Sequence, residues 1–249
     1  MTATIPAATR SEMAPTGTLR AGLNHSNFLL VSKDSPPGSP RGVAVDMARE
    51  LARRLGVGVA FVSFDSPGKL ADAAASGVWD VAFLGAEPTR ASEIDFTEAY
   101  VEIEATYLVP AGSPLDSIAE VDRDGVRISV SGRSAYDLYL TRTLRHAQLE
   151  RCNGIDASYE HFVAAHLDAL AGLRPRLEMD LKRLPGARIL EGRFTAIQQA
   201  IGTPKGRAAA AACLREFVED VKASGFVAQA IERNGAHGLA VAPLARARG

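Results

Sequence analysis

In the stretch WDVAFLGAEPTRASEIDFTEAY, residues 79–100, Arg90 is the single cation among carboxylates. It follows VAFLG, which reads as a buried strand, and precedes IDFT, which reads as half-buried chain. A guanidinium placed there stands at a strand's end, where ligand crevices open in α/β sheets. The plainer alternative is a solvated arginine paired with Glu87 or Glu93. A second chemical signature is SAYD, where Ser134 with Asp137 three residues on reads as a capping box, with Asp in place of Glu. From this pattern Ser134 reads as the cap of its helix. The remaining reactive types carry less. Cys152 and Cys213 lie far apart with no metal or redox spacing and read as small buried hydrophobes. His146, His161, His166 and His237 match no metal-ligand spacing.

Positioning these side chains requires alternating strands and helices, and from Thr18 onward the pattern supplies them. LRAGL reads as a first strand. In VAVDMARELARRLG, Val43, Met47, Leu51 and Leu55 recur every fourth residue, Asp46 sits in the first turn, Arg53 and Arg54 sit in the last, and Gly56 ends the helix. VAFVSF is a strand, PGKLADAAASG a short helix and WDVAFLG a buried strand. Such a β-α-β-α-β succession predicts a mostly parallel sheet covered by helices. IEATYLVPAG continues as strand, and GVRISVSG opens a second unit with the helix SAYDLYLTRTLRHA, the strand LERC and a helix over DASYEHFVAAHLDALAGL. ARIL and RFTAIQQAIG resume strand character. TPKGRAAAAACLREFVEDVKASG reads as a long helix with Thr203 as N-cap and Pro204 at its first position, followed by a short helix in GFVAQAIERNG. The predicted organisation is a disordered tail over 1–16, a discontinuous first lobe over 17–107 plus 195–246, and a second lobe over 108–194, with the ligand site in the cleft between them.

The chain has 249 residues, 47% of them hydrophobic, and a formal net charge of -1, enough apolar content for one large core or two modest ones. That balance gives no reason to expect nucleic acid or a membrane surface as partner. No apolar stretch approaches the roughly 20 residues that span a bilayer. MTATIPAATRSEMAPTGTLR holds no apolar segment of a secretory signal, so the residues by themselves leave the cytoplasm open as compartment.

Read in order, LRAGL, GVAVDMARELARRLG, SGVWDVAFLG, R-A-S-E-I-D-F-T-E-A-Y with YLVPAGSPL, SGRSAYDLYL and YEHFVAAHLDALAG resemble the type II periplasmic solute-binding proteins of the amino-acid-binding kind that serve bacterial ABC importers. The likeness covers about Leu19 to Gly235. It implies a two-lobed α/β fold, each lobe a mostly parallel sheet flanked by helices, joined by two hinge strands near residues 105–109 and 193–198. It implies a non-catalytic, monomeric, periplasmic protein that closes on a small carboxylate-bearing ligand without a cofactor or metal, with an ABC permease as partner. By the same resemblance Arg90 grips the ligand's carboxylate, Ser134 adds a second anion contact, and Arg133, where the family carries a small residue, adds positive potential or a latch. The loop NHSNFLL falls where the family packs an aromatic on the ligand: Phe28 takes that place or the core beneath it, with Asn24, His25 and Asn27 as polar neighbours.

Two departures from the family pattern bear on the ligand. The turn GAEPTR is about two residues short and offers Glu87 and Thr89 after Gly85 in place of the usual hydroxyl. The segment LDALAGL carries no acid after Asp168, where amino-acid binders neutralise the ligand's ammonium, and an uncompensated ammonium in a closed site is costly. The ligand expected is therefore a simple or aromatic acid, unless Glu87 or Glu191 replaces the missing carboxylate. Two alternatives stay open: a lyase resembling the cyclohexadienyl dehydratases, with Glu87, Glu191 or His25 as proton donor, and a sensory module read by a protein partner.

Overall fold

The computed structural model describes residues 5–32 and 39–245. Its elements in chain order are α1 (Ala7–Met13), β1 (Thr18–Asn24), α2 (Val43–Leu55), β2 (Gly58–Phe64), α3 (Pro67–Asp72), β3 (Val81–Gly85), β4 (Ile94–Phe96), β5 (Val101–Val109), β6 (Arg127–Ser131), α4 (Ala135–Thr143), β7 (Gln148–Cys152), α5 (Ile155–Ala164), β8 (Ala169–Leu173), α6 (Arg174–Leu181), β9 (Arg188–Ile189), β10 (Thr195–Pro204), α7 (Ala208–Ala223), α8 (Phe226–Arg233) and β11 (Leu239–Val241). They form two compact units, one of Met1–Glu102 with Gln198–Gly249 and one of Ile103–Ile197, and the chain passes between them within β5 and β10.

In the first unit the strands run in the order β2-β1-β3-β10, with β4 on β10. β1 pairs parallel with both β2 and β3, and β10 pairs antiparallel with β3 and β4. The apolar stripe expected in α2 is the reason the helix forms: Val43, Met47, Leu51 and Leu55 are all buried on one side, each contributing on the order of 1.5–3 kcal/mol. Gly42 admits no side chain at the start of this helix, because a Cβ there would lie 2.2 Å from the Leu30 carbonyl oxygen. The last turn ends on Gly56 in the left-handed conformation. A buried carboxylate ties the unit together. Asp80, with 0% exposure, accepts from the backbone N–H of Arg20 (3.0 Å), from Arg20 Nε (2.9 Å) and Nη2 (2.7 Å), and from Arg207 Nη1 (3.1 Å).

The second unit repeats the plan with strand order β5-β8-β6-β7. β6 pairs parallel with β7 and β8, while β5 pairs antiparallel with β8 and β9. Leu108, Tyr159, Phe162, Leu167, Leu170 and Leu177 form its core.

Three expectations need correction. Within the tail expected over 1–16, the described residues are ordered: Ala7–Met13 is helical, Met13 is fully buried in the main core, and α1 packs on α7. Glu12 explains the docking, since its Oε2 accepts from the Ala210 backbone N–H at 2.9 Å, and its carbonyl accepts from Arg207. That contact also corrects the start of the long helix. α7 begins at Ala208, not after Thr203; Thr203 lies in β10 and donates its hydroxyl to the Asp80 carbonyl, and Glu12 supplies the carboxylate at the helix start. The helix predicted across residues 156–173 ends at Ala164, with His166 at φ 49, and residues Ala169–Leu173 form the fully buried strand β8 instead. A short run buried on every side has no periodicity to separate strand from helix.

Glu50 on α2 accepts from Arg53 and Arg54, and these hydrogen bonds, Arg53's foremost, hold its carboxyl down to about 2. A depressed carboxyl stabilises the fold above its unfolded value near 4.5 and loses that contribution as pH falls toward 2. The Glu50→Gln variant is expected to unfold with about 1 kcal/mol less stability at neutral pH, the exposed Arg53 limiting the effect, and to show a shallower loss between pH 4.5 and 2 in urea titrations.

Candidate functional site

Both units present polar side chains where their parallel strands end. In the first, β3 stops at Gly85 and the chain turns through Glu87, with the backbone N–H groups of Arg90 (2.9 Å) and Ala91 (3.2 Å) donating to the Glu87 carbonyl. This turn folds Arg90 back over the strand: Nη1 donates to the Gly85 carbonyl at 2.7 Å, and the residue is only 6% exposed. One donor of a planar fork thus anchors the guanidinium at the carboxyl end of β3. Glu87 is buried in the same turn, whereas Thr89 is exposed.

β1 ends beside it in a loop that organises itself. Asn24 Oδ1 accepts from the Ser26 backbone N–H (3.1 Å) and hydroxyl (2.7 Å), and Asn27 Oδ1 accepts from the Leu29 N–H at 3.3 Å. Both are Asx turns, so each carboxamide oxygen serves the loop and the Nδ2 end is what each can turn to a ligand. Phe28 is half-buried. Arg90, Gly85, Glu87, Asn24 and Asn27 therefore belong to adjacent strand ends of one sheet, with Phe28 on the same loop.

In the second unit, Ser134 caps α4 as expected, its hydroxyl accepting from the Asp137 N–H at 3.1 Å. The reciprocal half of the capping box differs: the Asp137 carboxylate accepts from Arg133 N–H (2.7 Å) and Arg151 Nε (2.9 Å). This holds Arg133 at φ 60, a left-handed conformation a non-glycine residue enters only when its surroundings impose it, with its side chain exposed. Sequence reasoning missed Tyr136. Burial pushes its hydroxyl up to about 12, with hydrogen bonding to Ser134 and Ser131 pulling the other way, so it stays protonated. No periodicity marks an inward-facing tyrosine in the first turn of a short helix.

The end of β8 offers no carboxylate. Leu173 is buried, and a Cβ on Gly172 would meet Leu177 Cδ2 at 2.9 Å. The residues that follow are cationic: Arg174 is paired with Glu104, and Arg176 with Asp156 and Asp180. Glu191 is exposed beyond β9.

Residues 19–237 match the family model of the bacterial extracellular solute-binding proteins, family 3. The chain belongs to this family. Solved structures agree on the type II periplasmic-binding-protein fold. An ancestral amino acid-binding protein, AncCDT-1, a precursor of cyclohexadienyl dehydratase, aligns at 22% identity and TM-score 0.73 over 90% of this chain and 98% of its own. A mutant of ArgBP from T. maritima aligns at 19% and 0.75 over 92% and 100%. An amino acid ABC transporter substrate-binding protein from Streptococcus pneumoniae, bound to L-arginine, aligns at 16% and 0.74 over 94% and 99%. No curated protein matches by sequence. Among the described residues of this family 3 member, no cluster of His, Cys, Asp and Glu could hold a metal, and no helix is long and apolar enough to cross a membrane.

The left-handed turn at Arg133 yields a measurable consequence. Arg133→Gly relieves about 1 kcal/mol of backbone strain and is expected to raise the thermal midpoint slightly, whereas Asp137→Ala, which strands the N–H of Arg133 and the guanidinium of Arg151, is expected to lower stability by about 2–3 kcal/mol in the same calorimetric comparison.

Proposed function

We propose that this family 3 protein is a non-catalytic binder of a small organic acid, docking the ligand's carboxylate on Arg90. One observation carries the reading: a buried guanidinium is pinned by a strand carbonyl at the carboxyl end of β3, where an α/β sheet receives ligands. A fork held in place binds a carboxylate through two charge-assisted hydrogen bonds without first losing side-chain freedom. The α4 start, with Ser134 and the Tyr136 hydroxyl around free helix N–H groups, is the second unit's own anion-accepting element.

The ligand is an acid without an α-ammonium group. The second unit ends β8 on buried Gly172 and Leu173 followed by Arg174 and Arg176, and the carboxylates these arginines meet, Glu104, Asp156 and Asp180, are already bonded to them, so this strand end offers no acid for an ammonium. Membership of a family of bacterial extracellular solute-binding proteins supports a location outside the cytoplasm and service to an ABC permease. Of the structures named above, one is an amino acid-binding protein and another is bound to L-arginine; here the missing acid shifts the preference to simple carboxylates.

Titration calorimetry with a panel of short-chain and aromatic carboxylates tests this. Wild type is expected to bind at least one of them more tightly than the matching amino acid. Arg90→Ala is expected to weaken that binding about 100-fold or more, and Arg90→Lys about 10-fold, because lysine keeps the charge and loses the fork. Undiminished affinity in Arg90→Ala overturns the assignment, and turnover of prephenate by the wild-type protein replaces it with a lyase.

A further inference from the structure

β2 ends the sheet of the first unit, and among the described residues no strand lies on its outer side. The ladder fixes which of its backbone groups look outward. The His25 N–H donates to the Phe64 carbonyl at 2.8 Å, so Phe64 faces β1. Successive residues of a strand turn their N–H and C=O groups to opposite edges. Ala60, Val62 and Phe64 therefore bond to β1, while Val59, Phe61 and Ser63 direct theirs away from the sheet. Among the described residues, none supplies a hydrogen bond to those outward amides and carbonyls.

Both faces of this strand are already occupied. Val59 and Phe61 pack against the main core with α2, and Val62 and Phe64 against the cluster of Leu70 and Trp79. A partner meets β2 edge-on. Exposed edges are ordinarily guarded by lysine, proline or another charge against pairing with a foreign strand. GVAFVSF carries neither charge nor proline over its seven residues. The edge strand of the second unit, β7, is guarded in the ordinary way, with Glu150 and Arg151.

The occupant that fits is the same strand of a second copy. Laid antiparallel with Phe61 opposite Phe61, the outward groups of Val59 meet those of Ser63, and each facing pair exchanges two hydrogen bonds. The arrangement has a two-fold axis through the Phe61 pair, so it closes at two copies and does not propagate. An uncharged strand sets no like charges opposite one another. Arg49, whose guanidinium lies 5.6 Å from the Phe61 ring, already donates to the Pro40 carbonyl at 3.1 Å and has Asp46 at 4.0 Å. A seven-residue seam alone is small for a stable interface, and α2 extends it. The helix packs on β1 and β2 alike, so its axis stands about one strand spacing from the two-fold. The two copies of α2 then run about 10 Å apart, within helix-packing distance. We propose that this protein forms a two-fold dimer by antiparallel pairing of β2 with β2 of a second copy, in place of the monomer that the family resemblance implies.

Sedimentation velocity over a concentration series, with amide hydrogen exchange followed by NMR at its two ends, tests this. Wild type is expected to pass reversibly from monomer to dimer. The amides of Val59, Phe61 and Ser63 are expected to exchange freely in the monomer and to gain protection in the dimer, whereas β1 protects those of Ala60, Val62 and Phe64 throughout. Ala60 is exposed, and Ala60→Lys sets two lysines diagonally across the seam; it is expected to raise the dimer Kd about tenfold or more with the monomer's thermal midpoint unchanged. Ser63→Pro removes an outward N–H and no bond to β1, and is expected to weaken the dimer likewise. A monomer at every concentration overturns the proposal. So does a dimer in which the three outward amides stay unprotected, or one undiminished in either variant.

Discussion

The first unit depends on one buried charge. Asp80 has no solvent contact, and a carboxylate so placed is tolerated only when its lone pairs are filled. Arg20 fills most of them from β1, with its backbone N–H and two guanidinium nitrogens, while Asp80 returns its own N–H to the Arg20 carbonyl. Arg207 closes the shell from the residue before α7 and passes the constraint on to the Glu12 carbonyl of α1. Two strands, one long helix and the N-terminal helix are thereby set around a single atom pair, and the register of β1 against β3 follows from it.

Both units hold hydrogen-bond donors at the end of a parallel sheet, by different means. The first uses a side chain, Arg90, whose fork is fixed by the carbonyl of the strand it follows. The second uses a helix start, where Ser134 orders the first turn, Tyr136 brings a protonated hydroxyl, and Asp137 keeps Arg133 in a backbone conformation it would not hold alone. Strain of this kind persists only where neighbouring bonds outnumber the ways of relaxing it.

Much of the fold was legible because its signals are local. α2 is marked by a four-residue apolar spacing with charges placed for the helix dipole, β1 by a short apolar run, and β2 and β3 by short runs rich in valine and phenylalanine. What misled was burial on all sides. β8 reads ALAGL, which has no polar face to reveal its period, so in sequence it looks like a continuation of the preceding helix. Thr203 and Pro204 form a sound helix-start pair in isolation, yet Thr203 is spent in β10 on the Asp80 carbonyl. The N-terminal segment is small and polar, and the contacts that order it, Met13 in the core and Glu12 at α7, lie almost two hundred residues away along the chain.

The amino-acid sequence by itself determined which residue types stand at the strand ends: an arginine after β3, a capping serine before α4, and no acid after Asp168. Those facts follow from chain order and helix or strand period, which need no neighbours. The tertiary structure alone decided that Arg90 turns back onto Gly85, that Tyr136 faces Ser131, and that Val59, Phe61 and Ser63 turn their backbone groups to an open sheet edge. The first two turn on how a short loop folds against buried surroundings, and the last on parallel pairing between strands distant in sequence; both are selected by burial and charge satisfaction over the whole unit, not by any local pattern.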